Sequence, residues 1–179
     1  MAPDLRIVVG AGGDTQPGWL ATEAEFLDLL NDDHWQRYFA PASLATILAE
    51  HVWEHLAPED AVAAAETCFR YLRPGGYVRA AVPDGFNPDP EYIEWVRVGG
   101  TGPGADDHKI LYDVRTFSDV FEAAGFRVRP LEYFDDAGVF HQTPWNVEDG
   151  LIQRSAALDR RNSAGSLRYT SLIVDAVKE

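Results

Sequence analysis

Short apolar runs alternate along the chain with segments whose apolar residues recur every three or four positions. "LRIVV" (5–9) is rich in β-branched residues and bounded by "GAGG", which predicts a buried strand. "GWLATE" (18–23) predicts a weaker second strand after the Pro17-Gly18 turn, and "EFLDLL" (25–30) fits a rudimentary strand or a helical turn. "LATILA" (44–49) predicts another buried strand. A helix is expected to begin near Pro58, with Glu59 and Asp60 in its first turn, where the helix dipole favours acids. Ala61, Ala64, Ala65, Cys68, Phe69 and Leu72 share its apolar face, and Pro74-Gly75-Gly76 ends it. "YVRAAVP" (77–83) then predicts a strand, and a short helix is expected around 90–97. "VRTFSDVFEAAGF" (114–126) places Phe117, Val120, Phe121 and Ala124 on one helical face, with Gly125 where a C-cap belongs. "RVRPLEYF" (127–134) alternates like a half-exposed strand, and residues 168–178 predict a closing strand.

This alternation argues for one α/β domain over 1–179, its strands parallel except for an antiparallel closing pair. Residues 84–111 and 134–167 are expected as loop insertions near the candidate site, because ligands in such sheets bind at the carboxyl ends of strands. "DRRNSAG" (159–165) reads as a solvated loop.

Composition narrows the partners. The hydrophobic fraction of 46% supplies a core, and a formal charge of −14 repels phosphate backbones, which argues against nucleic acid. The single Cys68 forms no disulfide within the chain and suits a reducing compartment. "MAPDLRIVVG" lacks the basic start of a signal peptide, and no stretch approaches the ~20 apolar residues of a membrane span. A soluble cytoplasmic protein with a small-molecule substrate is expected.

Candidate chemistry sits where strands end. Gly10, Gly12 and Gly13 let backbone approach a ligand, and their amides suit a carboxylate or phosphate. They do not complete the dinucleotide fingerprint, whose third glycine position, counted from Gly10, holds Thr15. Glu23 ends the second predicted strand, where a carboxylate can bind both hydroxyls of a ribose. Asp28 could receive an adenine amino group or cap a turn.

"EHVWEHL" (50–56) has two readings. As H-x-x-E-H, His51, Glu54 and His55 form the inverted zinc-peptidase pattern, which needs a helix and a further ligand such as Glu59, Glu66, His108 or His141. As a strand end running into a loop, it presents Glu50 and His51 to a substrate, and His55 becomes a turn residue. The strand-like run before His51 and the helix start at Pro58 leave little room for the zinc-peptidase helix. Asp84, His108, Tyr112 and His141 are further pocket candidates by position.

"LRIVVGAGG", "GWLATE", "LATILAEHVWEHL", "YLRPGGYVRAAVPD" and "FSDVFEAAGF" occur in the order found in class I S-adenosylmethionine (SAM)-dependent methyltransferases. The chain most resembles a short bacterial group of predicted SAM-dependent methyltransferases, through "AEHVWEHL", "PGGY" and "HKILYD". The resemblance spans most of the chain and implies a reduced Rossmann-like fold and transfer of a methyl group to a small-molecule or saccharide-like acceptor. It implies that Gly10, Ala11, Gly12 and Gly13 approach the methionine part of the cofactor. Glu23 would bind ribose, Asp28 and Leu29 would flank adenine, and Glu50 with His51 would face the sulfonium and the acceptor, His51 as a base. No metal is required on this reading. A non-catalytic binding or assembly protein that kept the fold is the alternative, with a zinc hydrolase behind it. The family's helix between the first two strands has no room here, and its leading helices have no counterpart in the four residues before Leu5. The exposed sheet face is therefore expected to be covered by residues 134–167, by a second subunit as a homodimer, or by both.

Overall fold

The computed structural model describes residues 4–162 and 166–179, so residues 163–165 of the "DRRNSAG" loop lie outside the described residues. Seven strands form one sheet: β1 (Leu5–Val9), β2 (Leu20–Ala21), β3 (Leu44–Glu50), β4 (Leu72–Val82), β5 (Arg127–Phe134), β6 (Phe140–Gln142) and β7 (Leu172–Val177). Their order is β2-β1-β3-β4-β7-β5-β6. β2, β1, β3 and β4 pair in parallel, β7 inserts antiparallel between β4 and β5, and β6 lies antiparallel to β5. Among the described residues, four α-helices accompany the sheet: α1 (Asp32–Tyr38), α2 (Ala61–Tyr71), α3 (Pro90–Val96) and α4 (Val114–Ala123).

Several boundaries differ from expectation for local reasons. α2 starts at Ala61, because Pro58, Glu59 and Asp60 form a separate turn before it. It ends at Tyr71, and Leu72 already pairs with Leu44 of β3. The next registered pair is Thr46 with Tyr77, so Arg73–Gly76 bulge out of the ladder instead of terminating a helix. "EFLDLL" forms a turn in which the amides of Phe26 and Leu27 both donate to the Glu23 carbonyl. α4 is fixed by a capping box, with Asp113 accepting from the amides of Arg115 and Thr116 while the Thr116 hydroxyl accepts from the Asp113 amide.

The first two strands are parallel neighbours although only residues 10–19 connect them. Parallel strands usually require a crossover of roughly a dozen residues or more. Here the return is made without a helix, through positive-φ glycines at 10, 12, 13 and 18. β2 is accordingly two residues long and exposed.

One sheet face carries Ile7, Val9, Ile47, Ala49, Val78, Ala80, Leu172 and Val174. They pack in one core with Ala64, Ala65 and Cys68 of α2 and Phe117 and Phe121 of α4. The opposite face carries Val8, Leu48, Ala81, Leu131 and Ile173, and no described helix packs there. Ile152, Trp19 and Trp145 cover it instead, so the chain's own 143–156 stretch, with Trp19 before β2, does the sealing.

Two buried charged residues hold that cover. Arg79 on β4 makes a bidentate pair with Asp175 on β7, at 2.8 and 3.0 Å. Its remaining terminal nitrogen donates to the carbonyls of Asn146 (3.1 Å) and Gly150 (2.9 Å), and the Trp145 ring stacks 5.0 Å from the guanidinium. Glu132 on β5 accepts from Gln142, the Trp145 indole, the Ala156 amide and the Thr170 hydroxyl, which uses both carboxylate oxygens twice. Each anchor binds backbone or side chains of the covering stretch, whose one regular element is the 3₁₀ turn Val147–Asp149.

Candidate active site

The loop after β1 and the loop after β3 leave the sheet side by side at its carboxyl end. Gly10 has φ +59°, and a Cβ there would meet Val52 Cγ2 at 2.9 Å, so this glycine is required by packing of the two loops. Gly12 and Gly13 also have positive φ, but a Cβ on either would meet open space. Their amides donate to Glu23, at 3.2 Å to Oε2 and 3.0 Å to Oε1. The glycine loop and the acid beyond β2 are thus one hydrogen-bonded unit, and each carboxylate oxygen keeps a lone pair free.

β3 ends in Glu50, and His51 follows in the left-handed region at φ +57°. A non-glycine residue there is costly, by about 1–3 kcal/mol, and such strain clusters at functional sites. The His51 amide still donates to Ala81 of β4 at 2.8 Å, so the strand holds the residue while the chain turns out. Its ring is hydrogen-bonded at one nitrogen: Nε2 lies 2.9 Å from Ser171 Oγ, while Nδ1 lies 3.1 Å from Glu54 Oε1. The latter approach lacks hydrogen-bond geometry, and both oxygens of the fully buried Glu54 have no hydrogen-bond donor among the described residues.

Trp53–His55 form a single 3₁₀ turn. The inverted zinc-peptidase reading required His51 and His55 on one helix, and the left-handed turn at His51 prevents it. Trp53 is core, packed 5.1 Å from the Phe121 ring.

These elements surround a cavity of about 260 Å³, lined by Gly10, Ala11, Gly12, Glu50, His51, His55, His108 and Arg154 among others. Across the 151–154 stretch of the cover lies an open groove of about 1010 Å³ carrying Arg6, Arg160 and Arg161 with Asp14 and Asp159. The cover is tied to the site between them. Gln16 exchanges two hydrogen bonds with the Leu151 backbone, Gln153 donates to Asp14, and Glu50 accepts from the amides of Gln153 and Arg154. Glu50 therefore holds the cavity wall as well as lining it.

Other expected site residues lie elsewhere. Leu29 is buried in the helix-side core with Trp35 rather than beside a ligand. Asp28 Oδ1 accepts from the Leu30 amide, which is the turn-capping alternative. Asp84 is fully buried and accepts from the amides of Phe86 and Phe134; burial pushes its carboxyl up to about 6. Tyr112 packs against Phe117, and burial, followed by the Glu54 charge, pushes its phenol up to about 12. His141 sits on β6, bound to Asp135 at 2.7 Å and stacked on Tyr133. None of these three lines the cavity, whereas His108 does. Arg79, Glu132 and Arg154 were missed. The signal available was an arginine and an aspartate each centred in an apolar strand, "YVRAAV" and "LIVDAV".

No protein-family model matches the chain, and no curated protein matches it. Solved structures do. A SAM-dependent methyltransferase from Archaeoglobus fulgidus matches with TM-score 0.54 at 13% identity, over 97% of this chain and 85% of that one. A Thermotoga maritima SAM-dependent methyltransferase, named as a possible histamine N-methyltransferase, matches with TM-score 0.57 at 11% identity, over 100% and 84%. One from Mesorhizobium loti matches with TM-score 0.52 at 12% identity, over 96% and 90%. The chain has the α/β, Rossmann-like class I methyltransferase fold, as expected from its motifs, with β2 abbreviated and an antiparallel β7.

Proposed function

We propose that this protein is a SAM-dependent methyltransferase acting on a small-molecule acceptor. The observation that carries the reading is the joining of Glu23 to the amides of Gly12 and Gly13 beside the cavity. The residues fit the cofactor. Glu23 keeps lone pairs for two ribose hydroxyls, Gly12 and Gly13 offer open backbone, and Glu50 is a carboxylate at the cavity wall for a cationic group. The cavity is smaller than the ~300–1,000 Å³ usual for ligand sites. The cofactor's methionine end would occupy it, with the adenosine on the open side at Glu23.

The bound cofactor would supply an electrophilic methyl group on a sulfonium. What remains for the chain is to position an acceptor in line and exclude water. His51 would accept a proton through Nε2, which lies 2.9 Å from Ser171 Oγ and would exchange that partner for the acceptor. Such a base contributes only where the acceptor loses a proton.

The test is calorimetry with S-adenosylhomocysteine. Binding is expected in the wild type, weakened by about 1–3 kcal/mol in Glu23→Ala, with Glu23→Gln in between. No heat at millimolar ligand sinks the proposal, and undiminished affinity in Glu23→Ala removes that residue from the site. The bonding of both Glu50 oxygens to the cover favours a second reading, a non-catalytic binding protein. Binding without turnover on an acceptor panel would select it.

A further inference from the structure

We infer that Glu54, His55 and His108 form a divalent metal site in the wall of the cavity, of the two-histidine, one-carboxylate type that suits zinc. It is a different constellation from the inverted zinc-peptidase pattern, since His51 is not a ligand and His108 comes from a distant loop. Each of the three residues offers one ligand atom, and these atoms all lie within 4.8 Å of one another.

Three features mark the cluster as built. The first is Glu54, whose fully buried carboxylate has no hydrogen-bond donor among the described residues. A buried carboxylate is strongly unfavourable unless paired or bound to a cation. His51 Nδ1 stands 3.1 Å from Oε1 on one side, which leaves Oε2 for an ion.

The second is the bonding of the two imidazoles. His108 Nδ1 lies 2.7 Å from the Val96 carbonyl, and a carbonyl can only accept, so Nδ1 carries the proton. His55 Nδ1 lies 3.1 Å from the Asp107 carboxylate and donates in the same way. Both rings are thereby set with Nε2 as the nitrogen bearing a free lone pair. A metal-binding histidine characteristically gives its other N–H to a carbonyl or carboxylate in this manner. The rings meet edge to face, with centroids 4.9 Å apart.

The third is rigidity between the two pieces of chain. The Lys109 amide donates to the Glu54 carbonyl at 2.7 Å, which stitches the loop bearing His108 to the turn bearing Glu54 and His55. His55 and His108 line the cavity, and Glu54 is fully buried and does not. An ion held by all three would keep a coordination position open toward the cavity, the arrangement of catalytic rather than structural zinc sites. A water or an acceptor oxygen could take that position.

The site is tested on the full-length chain with zinc alone, without cofactor, so its failure is separable from that of the methyltransferase reading. After dialysis against chelator, calorimetric titration with Zn²⁺ is expected to give one ion per chain. Cobalt substitution is expected to give the intense visible absorption of a four-coordinate ion. His108→Ala and Glu54→Gln should abolish both signals. Asp107→Asn changes an exposed positioning residue and should weaken zinc binding about 10–100-fold with the circular dichroism spectrum unchanged. His141→Ala, at the separate His141–Asp135 pair, should leave binding intact. The inference is overturned by absence of saturable zinc binding in the wild type. It is equally overturned by binding that survives His108→Ala or that is lost in His141→Ala. A buried water beside Glu54 in place of an ion would give the first of these results.

Discussion

Replacing Arg79 by Met should cost about 3–4 kcal/mol of stability. The guanidinium is 2% exposed, as is its partner Asp175, so the substitution strands a buried carboxylate. Breaking a buried pair from one side costs about 3–5 kcal/mol. Arg129 keeps its 2.8 Å bond to Asp175 Oδ2 from a largely exposed position, which places the ion-pair loss near the bottom of that range. The carbonyls of Asn146 and Gly150 also lose their donor, adding up to about 1 kcal/mol. In a domain of this size that loss lowers the melting temperature by roughly 6–16 °C. Urea unfolding followed by tryptophan fluorescence measures it, since the Trp145 ring lies 5.0 Å from the Arg79 guanidinium. Trypsin cleavage after Arg154 should accelerate in parallel. Arg79→Met combined with Asp175→Leu should recover most of the stability, because an apolar pair of similar volume replaces a buried ion pair at little cost. A loss below about 1 kcal/mol, with cleavage at Arg154 unchanged, would refute the claim that this pair holds the cover in place.

Two further outcomes follow from buried titratable groups. Asp84 titrates from 3.8 in the unfolded chain to about 6 in the fold, so the folded state binds the extra proton between those values. Its contribution to stability is full below pH about 4, falls by up to about 3 kcal/mol as pH rises to about 6, and is flat above. Melting temperatures of wild type and Asp84→Asn across that window should diverge as the pH rises, and parallel curves would exclude the assignment. Cys68 is buried and burial pushes its thiol far above the ordinary range, so a thiol reagent should label no native protein and one thiol per chain in denaturant. Rapid native labelling would contradict the packing of α2.

The parts of the fold visible in the sequence were those whose burial is periodic. "LRIVV" and "LATILA" are almost continuously apolar, interrupted by Arg6 and Thr46 respectively, because β1 and β3 are covered on both faces. α4 announces itself by Phe117 and Phe121 one turn apart and by Gly125 after them. α1 was not anticipated, since Trp35 alone is buried in "DDHWQRY" and one apolar residue makes no period. β6 has three residues and no such signal either. The candidate site divides along the same line. Gly12, Glu23, Glu50 and His51 could be named because each sits at or just beyond a predicted strand end. Asp84 and Tyr112 were also named by position and are buried away from the cavity, because position along the chain does not fix which way a side chain turns. The pairing of His55 with His108 depends on a loop path that leaves no periodic trace, although His108 could be named as a ligand for that neighbourhood.

The missing crossover helix explains why charged residues are buried in this sheet. A helix would have covered Val8, Leu48, Ala81 and Ile173 with its own backbone hydrogen bonds already satisfied. A non-helical cover brings unsatisfied amides and carbonyls to an apolar face, and each requires a partner there. Arg79 supplies donors to Asn146 and Gly150, Glu132 accepts from Ala156, and Glu50 accepts from Gln153 and Arg154. The three residues lie on β4, β5 and β3, so the cover is fastened at several strands across the sheet. The last of these fasteners is also a wall of the cavity. The same contacts consequently seal the sheet and shape the site: residues 151–154 stand between the cavity and the groove, and the amides of Gln153 and Arg154 tie them to Glu50.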